Sequence, residues 1–594
     1  MRLVGRIFFY LLAGLGTVTA VTLVALLVIV LQMGEREPLP DKIVLLVDLA
    51  RGVNEGHSGG LPFGLTSKEG PSLRHVVDAI SRGAQDDRVE GLILDIGRAR
   101  MSVAHVQALR RAVLEFRKEG KPTFAFAENL GGLGNGTLAY YLASAAEKIS
   151  MQPSGTVGLI GLAVEAPFFS DALDKLDIAR RVQQRHEYKT AGEMFVRRGF
   201  SDEARRSLKK LIGSWMGDIT AAVAAARKLT GPQVRKLTER GPLLAKEALA
   251  QGLIDSLHYR DEFEKHVAAV VGGSMKVVSI DLYNEYKPSP PIDAKAVAWI
   301  EGTGAIVPGR GKRSLFDRTR KFHADNIAEA IQGAAKDPTI VGIILRIDSP
   351  GGSYGASDTV WRAVHVAREA GKPVIASLGP AAASGGYFVA MGADKIIAES
   401  GTITGSIGVL TLKFTTKELW RKLGVDWDRV ASNPRATLPS QVEDYPQGGA
   451  QRMSVILDAI YEDFSGKAAK ARNLTAEQID AVGRGRIWSG KDALSAGLID
   501  KTGGINTAIV EMRNLLELSP EIPIRLVDLP GPTKFERLLI TLQQQGIDVL
   551  DIVNWLVAAR ATAFEQSFVA LSRQADVFLP PVGILQMPAW RIAD

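Results

Sequence analysis

The stretch AAASGGY at 381–387 sets one serine, Ser384, among alanines and glycines at the head of a helix-like run. Small neighbours leave its hydroxyl uncrowded, and a helix N-terminus favours a developing negative charge. Upstream, ILRIDSPGGS (344–353) ends a strand-like run in a Pro-Gly-Gly turn. Gly351 and Gly352 let the backbone approach a ligand closely, and N–H groups presented that way can hold the oxyanion of an acyl transfer. By composition alone a glycine-rich turn is usually only a turn, and a lone serine is usually a cap. Asp348 stands where it could orient the turn, although a carboxylate at a strand end is more often structural. A serine nucleophile also needs a base. None of the eight histidines stands out: His186 is followed closely by Lys189, and His323 lies in a basic loop. A lysine serves instead when burial lowers its pKa, because desolvation disfavours the charged form. Lys189, in QQRHEYKTAGEMF (183–195), follows a strand-like run and precedes a Thr-Ala-Gly turn. Which lysine is buried is not written in the sequence. The absence of cysteine excludes thiol catalysis, disulfides and cysteine metal sites.

The elements that must position these residues come in duplicate. KIVLLVDLARGVNEG (42–56) matches KAVAWIEGTGAIVPG (295–309), and RVEGLILDI (88–96) matches TIVGIILRI (339–347). GKPTFAF (120–126), YYLASAAEKI (140–149) and AKEALAQGLID (245–255) match GKPVIAS (371–377), YFVAMGADKI (387–396) and GKDALSAGLID (490–500). The offset drifts only from 253 to 245, so a unit of about 250 residues is duplicated, far longer than a solenoid repeat. Under this alignment Thr137 falls opposite Ser384, and Ala436 opposite Lys189. The proline-rich stretch YKPSPPIDAK (286–295) divides the copies. Short β-branched runs at 43–48, 91–96, 297–300 and 341–347 alternate with helical patterns such as 103–118 and 357–370. That alternation predicts an α/β fold with a largely parallel sheet in each copy.

Apolar residues make up 46% of the 594 and charged ones 23%, as in globular proteins. The net charge of +7 is mild. The densest basic run, 312–321, reads as a solvated loop, with anionic lipid or a substrate chain as the other possibility; no nucleic-acid motif accompanies it, and no nucleic-acid partner is expected. Between Arg6 and Glu35 there is no charge, and 7–31 is long enough to span a bilayer. No small-x-small cleavage site follows, so the span reads as an uncleaved anchor. Arg2 and Arg6 before it, with Glu35 and Glu37 after it, place the N-terminus in the cytoplasm and the body outside, the periplasm of a bacterium-like cell. The organisation expected is an anchor (1–40), a first repeat (41–285), a second repeat (296–530) and a helical extension (531–594), amphipathic over 534–575.

DSPGGS, AAASGGY, TGSIGVL (404–410) and EYKTAGE, together with the anchor and both repeats, resemble the long form of the signal peptide peptidase A family. The resemblance implies tandem Clp protease/crotonase-like units and a Ser–Lys peptidase of the inner membrane. It assigns Ser384 as nucleophile, Lys189 as general base and Gly351 and Gly352 as oxyanion donors, with Ser406 as a hydrogen-bond partner of the lysine and no cofactor or metal. It further implies signal peptides and other unfolded apolar peptides as substrates, and a homotetrameric dome. The duplicated halves would then have divided the work, one keeping the serine and the other the lysine. A noncatalytic membrane-anchored scaffold is the alternative, and an acyl-CoA enzyme a weaker one, since fold alone does not fix chemistry.

Overall fold

The structure, a computed structural model, describes residues 38–56, 70–97, 101–132, 134–273, 276–288, 290–311, 321–531, 584–586 and 591–593. The expected span 7–31, nearly all of the basic run 312–321 and the helical reading of 534–575 lie outside them. Among the described residues no helix is long and apolar enough to cross a membrane. Lys42–Gly59, Lys68–Pro530 and Val577–Asp594 fall in one compact unit, which contains both repeats.

Each repeat builds a sheet around six parallel strands in the same order, and the second adds Ile403–Gly405 and the antiparallel Ile487–Ser489. In the first the order is Lys276–Ser279, Ile43–Asp48, Val89–Asp95, Thr123–Ala127, Lys148–Met151, Ser256–Leu257. In the second it is Ile524–Leu529, Lys295–Thr303, Ile340–Ser349, Val374–Ala383, Lys395–Ala398, Lys501–Thr502. The central strands are almost continuously apolar, and Ile343, Ile344, Leu345 and Ile347 are all buried. Strands covered on both faces read this way. Helix Ala324–Lys336 shows how the cover forms: Ala324, Ile327, Ala328, Ile331 and Ala334 recur at helical spacing, are buried, and pack on strands Lys295–Thr303 and Ile340–Ser349.

The repeats interlock through buried polar contacts. Arg346, on a central strand of the second repeat, donates to Glu55 of the first at 2.9 Å and to Leu378 O at 2.8 Å. Gln107 Oε1 accepts the Gly401 N–H at 2.6 Å, and Trp215 Nε1 donates to Gly401 O at 3.0 Å.

A further sheet crosses the repeat boundary. Its order is Lys321–His323, Ala305–Val307, Gly351–Ser353, Ile584–Gln586, Leu410–Thr415, Ala179–Gln184. Two of its strands matter most for the site. Ala179–Gln184 of the first repeat runs antiparallel to Leu410–Thr415 of the second, with Gln184 opposite Leu410. The extension 531–594, read from sequence as helical, contributes short strands where it is described: Ile584–Gln586 here, and Arg591–Ala593 against Ala163–Glu165. Pro580, Pro581 and Pro588 flank the first of these, and proline interrupts a helix.

Candidate active site

Strand Val374–Ala383 delivers Ser384 to a sharp turn, after which helix Gly385–Ala390 begins. Ser384 sits at φ 55° and ψ −117°, a conformation uncommon for any residue but glycine. Two hydrogen bonds hold it there: its N–H donates to Gly405 O at 2.8 Å, and its carbonyl accepts from Phe388 N at 2.8 Å. Backbone held in a sparsely populated region marks functional sites, because only a surrounding that over-determines the turn keeps it.

Lys189 arrives from the other repeat. Once Ala179–Gln184 has paired with Leu410–Thr415, the next five residues carry the chain past the second repeat's Arg484–Arg486 segment. Arg185 N–H donates to Val409 O at 2.9 Å, and Tyr188 N–H to Arg484 O at 3.2 Å. The Arg484 guanidinium reaches back to Glu187 at 2.9 Å. Gly485, at φ 86°, is required at this crossing: a Cβ there would stand 2.4 Å from the Lys189 nitrogen.

The lysine side chain ends on three oxygens. Nζ lies 2.7 Å from Ser384 Oγ, 2.9 Å from Ser406 Oγ and 2.9 Å from the Ser406 carbonyl. Lys189 is 1% exposed and Ser384 0%. Burial lowers the lysine to about 7, with no carboxylate opposing it. Such an amine is largely neutral at mildly alkaline pH and can accept a hydroxyl proton. Ser406 is itself held at φ 53°, its N–H donating to Arg486 O at 2.7 Å.

The glycines of DSPGGS lie beside this pair. The Gly352 nitrogen is 3.1 Å from where a Cβ on Gly385 would stand, so its amide borders the residue after the serine. The Gly351 N–H already donates to Ser349 Oγ at 3.1 Å. Asp348 Oδ1 accepts the Ala381 N–H at 3.1 Å, tying this strand to the one that carries Ser384. Burial raises the Asp348 carboxyl to about 6. His186 packs against Tyr461 with tilted rings whose centroids are 4.4 Å apart, and His323 stands at the N-cap position of helix Ala324–Lys336 without a side-chain capping bond. Ala436 is exposed in a short turn at Pro434–Thr437.

Two stretches of the chain, 115–272 and 366–519, match peptidase family S49. Protease 4 of Salmonella typhi is 33% identical over 462 residues, 75% of this chain and 72% of that protein. The chain belongs to peptidase family S49. The chloroplastic serine protease SPPA of Arabidopsis thaliana is 30% identical, covering 78% of this chain and 68% of its own. Protease 4 of Haemophilus influenzae is 30% identical over 74% and 72%. Among solved structures, a point mutant of ClpP1 from Listeria monocytogenes aligns with 37% of this chain and 96% of its own at 15% identity and a TM-score of 0.23. Two family S49 regions in one chain correspond to the long, duplicated form. This S49 protein is a serine peptidase, with Lys189 in the first matched region and Ser384 in the second.

Sequence reasoning picked out Ser384, Lys189 and Ser406, which the structure brings together. It missed Gly485 and the Arg484–Glu187 pair, which set the path of the lysine-bearing segment. Gly485, in GRGR (483–486), carries no motif of its own.

Proposed function

We propose that this S49 peptidase is a membrane-anchored endopeptidase that hydrolyses cleaved signal peptides and other short apolar peptides with a Ser384–Lys189 dyad. The observation that carries the reading is the 2.7 Å contact between Lys189 Nζ and Ser384 Oγ, with burial pulling the lysine to about 7. Neutral Lys189 takes the Ser384 proton as Oγ attacks the scissile carbonyl. The oxyanion is received by the Gly352 N–H and by the N–H of Gly385, an amide at the helix start with no intrahelical acceptor. Gly351, whose N–H is engaged by Ser349, shapes the turn. The lysine ammonium then gives its proton to the leaving amine, and the C–N bond breaks. In the second half the same lysine takes a proton from water, which attacks the acyl ester and restores Ser384. Ser406 holds the lysine in place through both halves.

Residues 7–31 form the anchor in this reading. Arg2 and Arg6 lie on the cytoplasmic side, and the body stands on the periplasmic face of the inner membrane. Four chains assemble into a dome that admits unfolded peptides and keeps folded proteins out.

The test uses the full chain in lipid nanodiscs with a synthetic signal peptide, an unstructured polar peptide and a folded protein, and products are read by mass spectrometry. Cleavage of the apolar peptide, absent in Ser384→Ala, is expected. Equal cleavage by Ser384→Ala, or attack on the folded protein, would overturn the reading. Sedimentation of the same full chain in detergent should give a tetramer; an active monomer would remove the dome.

A further inference from the structure

The cross-repeat sheet is continuous only through a strand that neither repeat supplies. Gly351–Ser353, beside Ser384, and Leu410–Thr415, which leads away from Ser406, do not pair with each other. Ile584–Gln586 lies between them. It runs antiparallel to the first, with Gly352 opposite Leu585 and Ser353 opposite Ile584. It meets the second at Leu410, also opposite Ile584. Without this segment each of those edges would present unpaired N–H and C=O groups. An extended peptide laid along such an edge gains main-chain hydrogen bonds regardless of its sequence. The tail therefore takes the position that a peptide must take to reach Ser384.

The next strand of the tail makes the same choice in the other repeat. Arg591–Ala593 pairs antiparallel with Ala163–Glu165, with Ala593 opposite Ala163 and Arg591 opposite Glu165. Ala163 stands 247 residues before Leu410, the offset that relates Thr137 to Ser384. One tail thus lies on the same strand in both copies: on the catalytic copy through Ile584, and on the copy that lost its serine through Arg591–Ala593.

We propose that the C-terminal segment of this chain is a tethered peptide ligand of its own catalytic groove. Ile584–Gln586 holds the strand position of a substrate, and Arg591–Ala593 clamps the tail on a second, noncatalytic strand edge at Ala163–Glu165. The proposal rests on the dyad reading above. An incoming peptide must displace the tail, so the groove is open for only a fraction of the time, and apparent affinity falls by that fraction.

Leu585→Pro in the full chain removes one strand N–H and breaks the pairing. With a short fluorogenic peptide, KM should fall about fivefold or more while kcat is unchanged. A synthetic peptide of residues 580–594 added to the Leu585→Pro chain should inhibit it competitively, and the same peptide carrying Leu585→Pro should not. Ile592→Pro should lower KM by a smaller factor. An unchanged KM in Leu585→Pro overturns the proposal, and so does a tail peptide that does not compete. Wild-type chain that comes out cut near 584–586, but whole in Ser384→Ala, supports it. If no peptide is cleaved by any chain, the dyad reading fails separately. Occupancy is then read from fluorescence anisotropy of the labelled 580–594 peptide on the Ser384→Ala, Leu585→Pro chain, where binding supports the tail site and its absence overturns it.

Discussion

The turns at Thr137 and Ser384 come from one ancestral segment and now do opposite things. Both precede a short helix, and both helices carry a tyrosine that donates to a distant carbonyl: Tyr140 to Leu253 O at 2.8 Å, and Tyr387 to Leu498 O at 2.9 Å. The difference lies one residue before the helix. In the second copy Ser384 is the cap, at φ 55°, with its N–H on Gly405 O. In the first copy the cap is Gly136, whose N–H donates to Gly158 O at 2.8 Å, and Thr137 is drawn into the helix. The hydroxyl of Thr137 is consumed there: it donates to Gly161 O at 2.9 Å and accepts from Gly161 N at 3.0 Å and Ile160 N at 3.2 Å. A β-branched residue does not tolerate positive φ, so a threonine and the strained turn exclude each other. Losing the serine therefore relaxed the first turn into ordinary structure. In the proposed mechanism that copy contributes the segment that carries Lys189.

That contrast can be broken most severely at the dyad itself. Ser384→Ala and Lys189→Arg should each cut kcat/KM on the order of 10⁴-fold or more with the fold intact, since removing either half of a nucleophile–base pair disables one shared step. Arginine keeps the charge but cannot release its proton. Circular dichroism alongside peptide hydrolysis checks both points, and substantial activity in Lys189→Arg would remove the lysine from the mechanism.

The next largest effect belongs to a residue that touches no substrate. Gly485→Ala places a methyl group against the Lys189 backbone at a positive φ, and a lysine displaced by about 1 Å should lower kcat by roughly 10²-fold. Steady-state kinetics would show the fall in kcat with KM little changed. A wild-type kcat would mean that the lysine path does not depend on this crossing.

Ser406→Ala removes one of the three oxygens around the lysine and leaves the Ser406 carbonyl in place. We expect a drop of roughly tenfold in kcat, because the amine keeps two of its three partners. A loss as deep as that of Ser384→Ala would make Ser406 a participant in proton transfer and no longer a positioning group.

The smallest catalytic effect should come from the vacated copy. Thr137→Ala should leave kcat/KM within about twofold while costing about 1–2 kcal/mol of stability, because the Ile160 and Gly161 N–H groups lose their acceptor. Calorimetry and hydrolysis together separate the two. A large loss of activity at unchanged stability would show that the first copy still serves the chemistry at this turn.

Much of this arrangement was legible in the sequence because the duplication writes each strand twice. The runs at 43–48 and 341–347 fall on observed strands Ile43–Asp48 and Ile340–Ser349, and the pattern at 103–118 on helix Val103–Lys118. The residue types of the proposed dyad were legible too, as a serine kept in one copy and a lysine in the other. Their meeting was not. It depends on strand Ala179–Gln184 leaving its own repeat to pair with Leu410–Thr415. Pairing between strands so far apart leaves no local periodicity to read. The positive φ of Ser384 was hidden for a related reason: glycine announces such a turn, and here the strained residue is a serine, the proposed nucleophile. The tail strand Ile584–Gln586 was not legible because it is three residues long, too short to show a period of two.

The account depends most on Lys189 being a neutral base for Ser384, and acylation of Ser384 by a serine-reactive probe, followed by intact mass across pH, tests this directly. The active form is the deprotonated amine, so the rate should climb about tenfold per pH unit below about 7, the value to which burial brings the lysine, and level off above it. Lys189→Arg should show no acylation at any pH. A rate still rising toward the ordinary lysine value of about 10.4, or a Lys189→Arg chain labelled as fast as the wild type, would contradict the account.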